Sequence, residues 1–183
     1  MKKEVIGFTG LPGSGKSVAI AGVEDLGVSI SMGDVIRNES KKRNLEPTDE
    51  NLGRTARDLR AMGGHKIIAE KCVDFINELD SDAIYIDGIR SYLEVTVFRE
   101  IWKFPLIAIE ASENIRFERL KKRGRHDDPK VIDDLRERDN REIGFGVKDA
   151  IEKADYKFNN DNLTIKALQN KVRNLVLEIL NDK

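Results

Sequence analysis

The sequence predicts an α/β protein built on a five-stranded parallel sheet with helices on both faces. Short apolar segments alternate along the chain with longer segments of helical periodicity. The short segments are nearly continuous in apolar residues, which is typical of strands covered on both sides. The first of them leads into a glycine-rich loop and then into a helix. Strands that alternate with helices form a parallel sheet, and its active groups gather at the carboxyl ends of the strands.

Five segments have the apolar character and the length of buried strands. The first immediately precedes the glycine-rich loop, and the third ends in an acidic residue followed by glycine, Asp87-Gly88. The predicted strands are residues 4–9, 27–32, 82–88, 104–110 and 156–158.

Helical spacing of apolar residues fills the intervals between these strands. Lys41, Lys42 and Arg43 suit the C-terminal end of a helix dipole, and Thr48 is a candidate N-cap for the next helix. No linker, repeat or low-complexity segment divides the chain, so residues 1–183 are predicted to form a single domain. The predicted helices are residues 17–26, 33–44, 48–63, 65–79, 92–102, 112–122, 129–141 and 163–180.

The composition excludes several classes of function. The chain carries 32 Lys+Arg and 33 Asp+Glu, a formal net charge of -1, so no overall positive field attracts nucleic acid or an anionic membrane. Cys72 is the single cysteine, which excludes an internal disulfide framework, and with His65 and His126 it forms no zinc-ligand pattern. The N-terminal apolar run is interrupted by glycine, proline and lysine, unlike a signal peptide or membrane span. We therefore expect a cytoplasmic protein, a monomer or small homo-oligomer, with no nucleic-acid or membrane partner, and Cys72 in the core.

The most specific motif runs from Gly10 to Ser17 and fits the phosphate-binding pattern G-x-x-x-x-G-K-[ST]. Its glycines let the backbone fold closely around phosphate oxygens, and the N–H groups of the following helix point at the anion. Lys16 is expected to reach the β- and γ-phosphates of ATP, and the Ser17 hydroxyl to bind Mg²⁺. A chance glycine-rich turn is the alternative, but a random match in this chain has a probability below about 1%. The predicted nucleotide-binding residues are Gly10, Leu11, Pro12, Gly13, Ser14, Gly15, Lys16 and Ser17.

The segment that leads from the second predicted strand into the following helix resembles part of the acceptor site of adenylate kinases. Residues 30–37, Ile-Ser-Met-Gly-Asp-Val-Ile-Arg, resemble the I-S-T-G-D-M-L-R segment of that family. The resemblance implies that Ser31 contacts a monophosphate acceptor and that Arg37 holds its phosphate. A guanidinium suits this role because its planar fork donates two parallel hydrogen bonds to phosphate. A solvated helix arginine is the alternative for Arg37.

The end of the third predicted strand resembles a second segment of the same family. Residues 87–90, Asp-Gly-Ile-Arg, resemble its D-G-F-P-R segment shortened by one residue. The resemblance implies that Asp87 holds the water shell of the metal, and that Gly88 and Arg90 contact the acceptor. Because the proline is missing, Arg90 lies one position earlier than the corresponding arginine of the family. An ordinary turn is the alternative for Asp-Gly.

A third resemblance covers the lid that closes over ATP in these kinases. Arg125-His126-Asp127-Asp128 matches an R-x-D-D segment, and Arg136 follows at the family's spacing of eleven residues. Upstream, Arg119 matches the arginine that lies over the adenine, and Arg123 matches one that reaches the phosphates. Converging cations are needed because the transferring phosphoryl group spreads negative charge over its oxygens. The resemblance implies a short helical lid at residues 119–145 with Arg123, Arg125 and Arg136 as catalytic residues.

The alternative for this region is a solvated helix in which acidic residues balance the arginines. Arg138 and Arg141 have no firm counterpart in the family, and for them both interpretations, a lid residue and a solvated helix residue, stay open. Residues 154–161 resemble the last strand and loop that frame the adenine in nucleotide kinases and dephospho-coenzyme A kinases, where backbone groups make most contacts.

Taken together, these resemblances span nearly the whole chain. They imply the P-loop NTP hydrolase fold in its nucleoside monophosphate kinase-like form, with an acceptor-binding helical segment at residues 33–80. More narrowly, the chain resembles an archaeal branch of adenylate-kinase-related P-loop proteins of dephospho-coenzyme A kinase-like character.

The leading hypothesis is ATP- and Mg²⁺-dependent transfer of a phosphoryl group to a nucleoside monophosphate such as AMP. The runner-up is phosphorylation of a ribose hydroxyl, as in dephospho-coenzyme A kinase, with Asp34 as the catalytic base. Asp34 could instead cap its helix or hold metal-bound water. A third hypothesis is a regulator that binds ATP or AMP with little catalysis. A GTPase is disfavoured because Asn159-Asn160-Asp161-Asn162 lacks the lysine of the N-K-x-D guanine motif.

Overall fold

The computed structural model describes residues 3–125 and 128–182, apart from the side chain of Asp49. Within these ranges a five-stranded sheet has the order β2-β3-β1-β4-β5, and every neighbouring pair of strands is parallel. The prediction of a parallel five-stranded sheet is confirmed. The strands are β1 (Glu4–Thr9), β2 (Val28–Ser31), β3 (Ala83–Ile89), β4 (Leu106–Glu110) and β5 (Tyr156–Asn159).

Helices connect the strands, and most of them lie where the periodicity predicts. The first ends at Ala21 instead of Leu26, because Gly22 follows it and residues 23–26 form turns. The helix predicted at 129–141 begins later and extends to Phe145, where Gly146 with φ 101° ends it and also precedes a short helix that was not predicted. The helices are α1 (Lys16–Ala21), α2 (Met32–Lys42), α3 (Asp49–Gly63), α4 (Ile67–Glu78), α5 (Tyr92–Arg99), α6 (Glu113–Arg123), α7 (Ile132–Phe145), α8 (Val147–Glu152) and α9 (Ile165–Asn181).

Both faces of the sheet are covered by apolar cores. Because successive strand residues point to opposite faces, Val5 of β1 packs with α2, α3, α4, α5 and α8, while Ile6 and Phe8 pack with α1 and α9. Cys72 of α4 is fully buried in the first of these cores, as predicted. The two cores fix the sheet between the two helix layers.

The connections change direction at β1, which lies between β3 and β4. In open parallel sheets such a switch leaves a crevice at the carboxyl ends of the strands. Here β1 ends in the loop that begins at Gly10, and the register with β3 shifts so that Phe8 pairs with Asp87 and Thr9 with Ile89. Gly88, with φ 86°, occupies this irregularity. The P-loop therefore lies beside Asp87 and Gly88 of β3.

In the part of the chain that the structure describes, every helix is too short or too polar to cross a membrane.

Candidate active site

The loop between β1 and α1 is held in a shape that its glycines permit. Gly10 and Gly15 have φ values of 145° and 111°, a region that other residues rarely adopt. A Cβ atom on Gly10 would lie 2.2 Å from the carbonyl oxygen of Ile109, and one on Gly15 would lie 2.4 Å from Nδ2 of Asn160. The close packing of this loop therefore excludes side chains at both positions.

Lys16 is the first residue of α1, and its ammonium group turns back onto the loop. Its Nζ donates to the carbonyl oxygen of Gly10 at 2.6 Å. Burial lowers the pKa of Lys16, while the carboxylates of Asp87 and Glu142 act in the opposite direction. The lysine thus lies within the electrostatic reach of the acidic groups at the carboxyl edge of the sheet.

A cleft of about 700 Å³ opens over the P-loop and extends to the ends of β2 and β3. Among the described residues, its lining carries seven basic side chains and two acidic ones, Asp87 and Glu142. Such a positive excess favours polyanionic ligands. The structure brings most of the predicted site residues to this cleft: Gly10, Pro12, Gly13, Gly15, Lys16, Ser17, Ser31, Arg37, Asp87, Gly88, Arg90, Arg119, Arg123 and Arg125.

Four predicted residues do not line this cleft. Leu11 and Ser14 instead line a neighbouring cavity of about 460 Å³. Ser14 nevertheless supports the site through its backbone, as described below. Asp34 and Arg136 lie outside the cleft because their side chains make other contacts: Asp34 contacts Ser31 and Arg37, and Arg136 contacts Glu113 and Asp133.

Asp34 belongs to the cap of α2. Its Oδ2 accepts from the N–H of Ser31 at 2.8 Å, and its own N–H donates to Oγ of Ser31 at 3.1 Å. Its Oδ1 accepts from Nη1 of Arg37 at 2.6 Å. This reciprocal arrangement is a capping box, in which both side chains satisfy exposed helix N–H groups. The structure therefore places the predicted base in the capping role that the sequence left open.

Asp87 at the end of β3 carries a buried oxygen in need of a partner. Its Oδ1 has no hydrogen-bond partner among the residues that the structure describes, and such a buried acceptor is energetically unfavourable. Within the same ranges no three His, Cys, Asp or Glu residues group as metal ligands. Mg²⁺ commonly uses one or two carboxylates together with substrate phosphates. The Asp87 carboxylate and the Ser17 hydroxyl fit a site of that kind.

Arg90 meets an acidic residue that no sequence motif indicated. Its Nε lies 3.3 Å from Oε2 of Glu142, whose side chain is 17% exposed. Glu142 lies on α7, and it also lines the cleft. This ion pair joins the end of β3 to α7.

Arg119 is fixed between the P-loop and the loop after β5. Its Nη2 donates to the carbonyl oxygen of Asn160 at 2.6 Å, and its Nη1 donates to that of Ser14 at 3.3 Å. The buried side chain of Asn160 donates from Nδ2 to the same Ser14 oxygen at 2.8 Å. Sequence reasoning expected only backbone roles near residue 160, so the contribution of this side chain was missed.

The carboxylate of Asp128 accepts hydrogen bonds from two arginine residues at the end of α6. Its carboxylate, 2% exposed, accepts from Nε of Arg123 at 2.9 Å and from the N–H of Arg125 at 2.9 Å. The hydrogen bond from Arg123 lowers the pKa of Asp128, although burial opposes this effect. The other two residues of the predicted R-x-D-D segment, His126 and Asp127, lie outside the described residues.

Arg136 does not reach the cleft. Its Nη2 lies 2.9 Å from Oε1 of Glu113, its Nη1 lies 3.1 Å from Oδ1 of Asp133, and its side chain is 55% exposed. The spacing to Arg125 matched the family pattern, but the rotation of α7 about its axis turns Arg136 away. The structure shows no contribution of Arg136 to the cleft lining.

A buried ion pair between α6 and α7 contacts the P-loop, and the sequence analysis did not identify this pair. Arg116 of α6 donates from Nη1 and Nη2 to Asp139 of α7 at 2.9 and 2.5 Å. The same Nη1 donates to the carbonyl oxygen of Pro12 at 3.1 Å. Arg116 and Asp139 are 23 residues apart in a region rich in charged residues, so no local sequence pattern predicts that they pair. Their pairing follows from the packing of α6 on α7.

A parallel sheet with this strand order, a P-loop after β1 and a basic cleft at the carboxyl edge define a P-loop kinase-like domain. A family model described as an AAA domain matches residues 9–136, and the chain belongs to that family. It also belongs to the UPF0200 family of archaeal proteins. A UPF0200 protein of Methanocaldococcus jannaschii is 46% identical over 182 residues, covering 97% of this chain and 91% of that protein.

A UPF0200/UPF0201 protein of Archaeoglobus fulgidus is 42% identical over 184 residues, covering 98% of this chain. This chain spans only 57% of the length of that relative. Among solved structures, shikimate kinase from Bacteroides thetaiotaomicron superposes with a TM-score of 0.65 at 15% identity, covering 95% of this chain and 98% of that one. TT1252 from Thermus thermophilus superposes with a TM-score of 0.66 at 14% identity, covering 97% and 98%. At such identities the likeness is one of fold.

Proposed function

We propose that the protein transfers the γ-phosphoryl group of ATP, in the presence of Mg²⁺, to a nucleoside monophosphate such as AMP. The observation that carries this proposal is the cleft itself, in which basic side chains lie both beside the P-loop and beyond it. ATP needs cations at the P-loop end. A second group of arginines at the far end indicates a second anionic ligand.

At the P-loop end, Lys16 and the arginines of α6 serve the transferring phosphoryl group. Lys16 neutralises charge on the β- and γ-phosphates, and Arg123 and Arg125 stabilise charge that spreads over the phosphoryl oxygens during transfer. Arg119, fixed by two backbone carbonyls, covers the nucleotide. Ser17 would hold Mg²⁺, which would neutralise negative charge on the phosphates.

At the far end, Ser31, Arg37, Gly88 and Arg90 form the acceptor side. Arg37 is oriented by Asp34 at 2.6 Å and Arg90 by Glu142 at 3.3 Å. Both guanidinium groups retain donors for a phosphate after making these contacts. A phosphate acceptor is already ionised at neutral pH, so its attack requires no protein base.

The runner-up, phosphorylation of a hydroxyl, is less well supported because Asp34 is committed to the α2 cap and to Arg37. Asp34→Asn decides between the two. Unchanged turnover of a monophosphate fits the leading proposal, whereas loss of turnover with a hydroxyl acceptor and intact metal affinity favours the runner-up. A regulator that binds ATP or AMP without transfer is the third possibility, and it predicts binding with no product.

We also propose that residues 1–183 form one catalytic unit, with the acceptor segment at residues 33–80 and the lid at residues 119–145. In this proposal the partners are nucleotides, and the protein works in the cytoplasm as a monomer or small homo-oligomer.

The decisive experiment measures ATP consumption with Mg²⁺ against AMP, CMP, UMP, GMP and dephospho-coenzyme A, with the mass of each product recorded. We expect a diphosphate product from one monophosphate. Lys16→Ala should reduce this turnover by at least about 10²-fold, with an unchanged circular dichroism spectrum. Near-wild-type turnover by this variant would refute the role of the P-loop, and ATP binding with no product from any acceptor would favour a regulator.

A further inference from the structure

One face of α7 is directed toward the cleft, and helical geometry identifies it. Leu135 and Asp139 are the buried residues of α7, while Arg138 and Glu142 line the cleft. At about 100° per residue, these four positions fall within an arc of about 100°, whereas Arg136 lies about 160° from Arg138 around the helix. The two arginines therefore lie on opposite sides of α7, and they cannot both face the cleft.

Arg138 lies beside the P-loop, and its side chain is oriented by a contact with Asp128. Its Nη1 lies 3.8 Å from Oδ1 of Asp128, and its side chain is 24% exposed. Its positive charge contributes to lowering the pKa of Lys16, as expected of a cation close to the P-loop lysine. One turn further along α7, Glu142 pairs with Arg90. This ion pair holds the Arg138 face of α7 over the cleft.

We propose that Arg138, and not Arg136, is the α7 residue that binds the phosphoryl group during transfer, and is thus a further catalytic residue. This inference rests on the proposed function. In the step, the bond from the γ-phosphorus to the β–γ bridging oxygen breaks and its electron pair leaves with ADP, while an acceptor phosphate oxygen forms the new bond to phosphorus. Arg138 donates hydrogen bonds to the phosphoryl oxygens and exchanges no proton. Arg136, paired with Glu113 and Asp133 on the other side of α7, makes no contact in this step.

The test compares Arg138→Ala with Arg136→Ala, two identical substitutions on one helix. The probe is Mg²⁺ and ADP, titrated by calorimetry in the presence of AMP, CMP, UMP or GMP in turn. Each titration is done with and without aluminium fluoride, which mimics the phosphoryl group during transfer. We expect the fluoride-dependent gain in ADP affinity to be about 10²-fold smaller in Arg138→Ala than in the wild-type protein. The affinity of this variant for ADP without fluoride should stay within about threefold of the wild-type value. Arg136→Ala should retain the full gain.

A second variant, Arg138→Lys, keeps the positive charge beside Asp128 but lacks the planar fork. We expect it to retain the wild-type thermal unfolding midpoint and to lose most of the fluoride-dependent gain, which a purely structural role would not produce. Equal gains in Arg138→Ala and Arg136→Ala would overturn this inference alone. A wild-type protein that binds ADP with no gain from fluoride, or that does not bind ADP, would overturn both the inference and the proposed transfer reaction.

Discussion

Removing one partner of the buried ion pair between Arg116 and Asp139 should destabilise the proposed lid at residues 119–145, because the other charge is left buried and unpaired. The two side chains are 4% and 10% exposed. Among the described residues, Asp139→Ala would leave the buried guanidinium with the carbonyl oxygens of Ala111 and Pro12 as its acceptors. Breaking one partner of a buried pair reduces the free energy of unfolding by about 3–5 kcal/mol. At about 2–4 °C per kcal/mol for a chain of this length, the unfolding midpoint should fall by about 6–20 °C.

The matched control is Glu113→Gln, which breaks the exposed ion pair between Glu113 and Arg136. Both pairs join α6 to α7, so they differ chiefly in burial. Exposed pairs contribute little, and we expect no measurable shift in urea or thermal unfolding followed by circular dichroism. Replacing both buried partners, Arg116→Met with Asp139→Leu, should recover at least half of the lost stability, because no charge remains unpaired. A shift for Asp139→Ala as small as that for Glu113→Gln would refute this reasoning.

Two further predictions concern carboxylates of the cleft and of the proposed lid. Asp87→Asn should raise the Mg²⁺ concentration for half-maximal activity at least about tenfold, since Mg²⁺ prefers charged oxygen ligands. ATP affinity measured without metal should not fall, because the substitution removes a negative charge from the cleft. Equal Mg²⁺ dependence would exclude Asp87 as a metal ligand. Because Arg123 lowers the pKa of Asp128 in the folded state, the stability from this carboxylate is present above its unfolded value of about 4 and is lost as pH falls through the lower folded value. Urea titrations at several pH values should therefore show the difference in unfolding free energy between the wild-type protein and Asp128→Asn shrinking below pH ~4; a constant difference would contradict this.

Local sequence was sufficient for the architecture and for the P-loop. Apolar runs of strand length alternate with helical spacing, and these patterns depend only on neighbours along the chain. The segment from Gly10 to Ser17 is specific because close backbone packing requires glycine at defined positions, and the structure places Gly10 against Ile109 and Gly15 against Asn160. The short α8 escaped prediction because six residues show too little periodicity.

Local sequence patterns could not predict the remaining side chains of the cleft. Glu142 and Asn160 carry no motif, and each contacts a residue distant in sequence: Arg90 for Glu142 and Ser14 for Asn160. The pairing of Arg116 with Asp139 is equally hidden, because a region rich in both charges offers many equivalent partners. Such contacts become visible only when the helices are packed.

The sequence by itself determined the fold class, the strand that leads into the P-loop and the types of side chain available to the site, because each depends on spacing within one segment. Only the tertiary structure decided which arginine of α7 faces the cleft and whether Asp34 caps a helix or lines the cavity. A residue two positions away on a helix lies on its opposite side, and the burial of Leu135 and Asp139 sets the rotation of α7. That rotation arises from contacts among α6, α7 and the P-loop, which no single segment encodes.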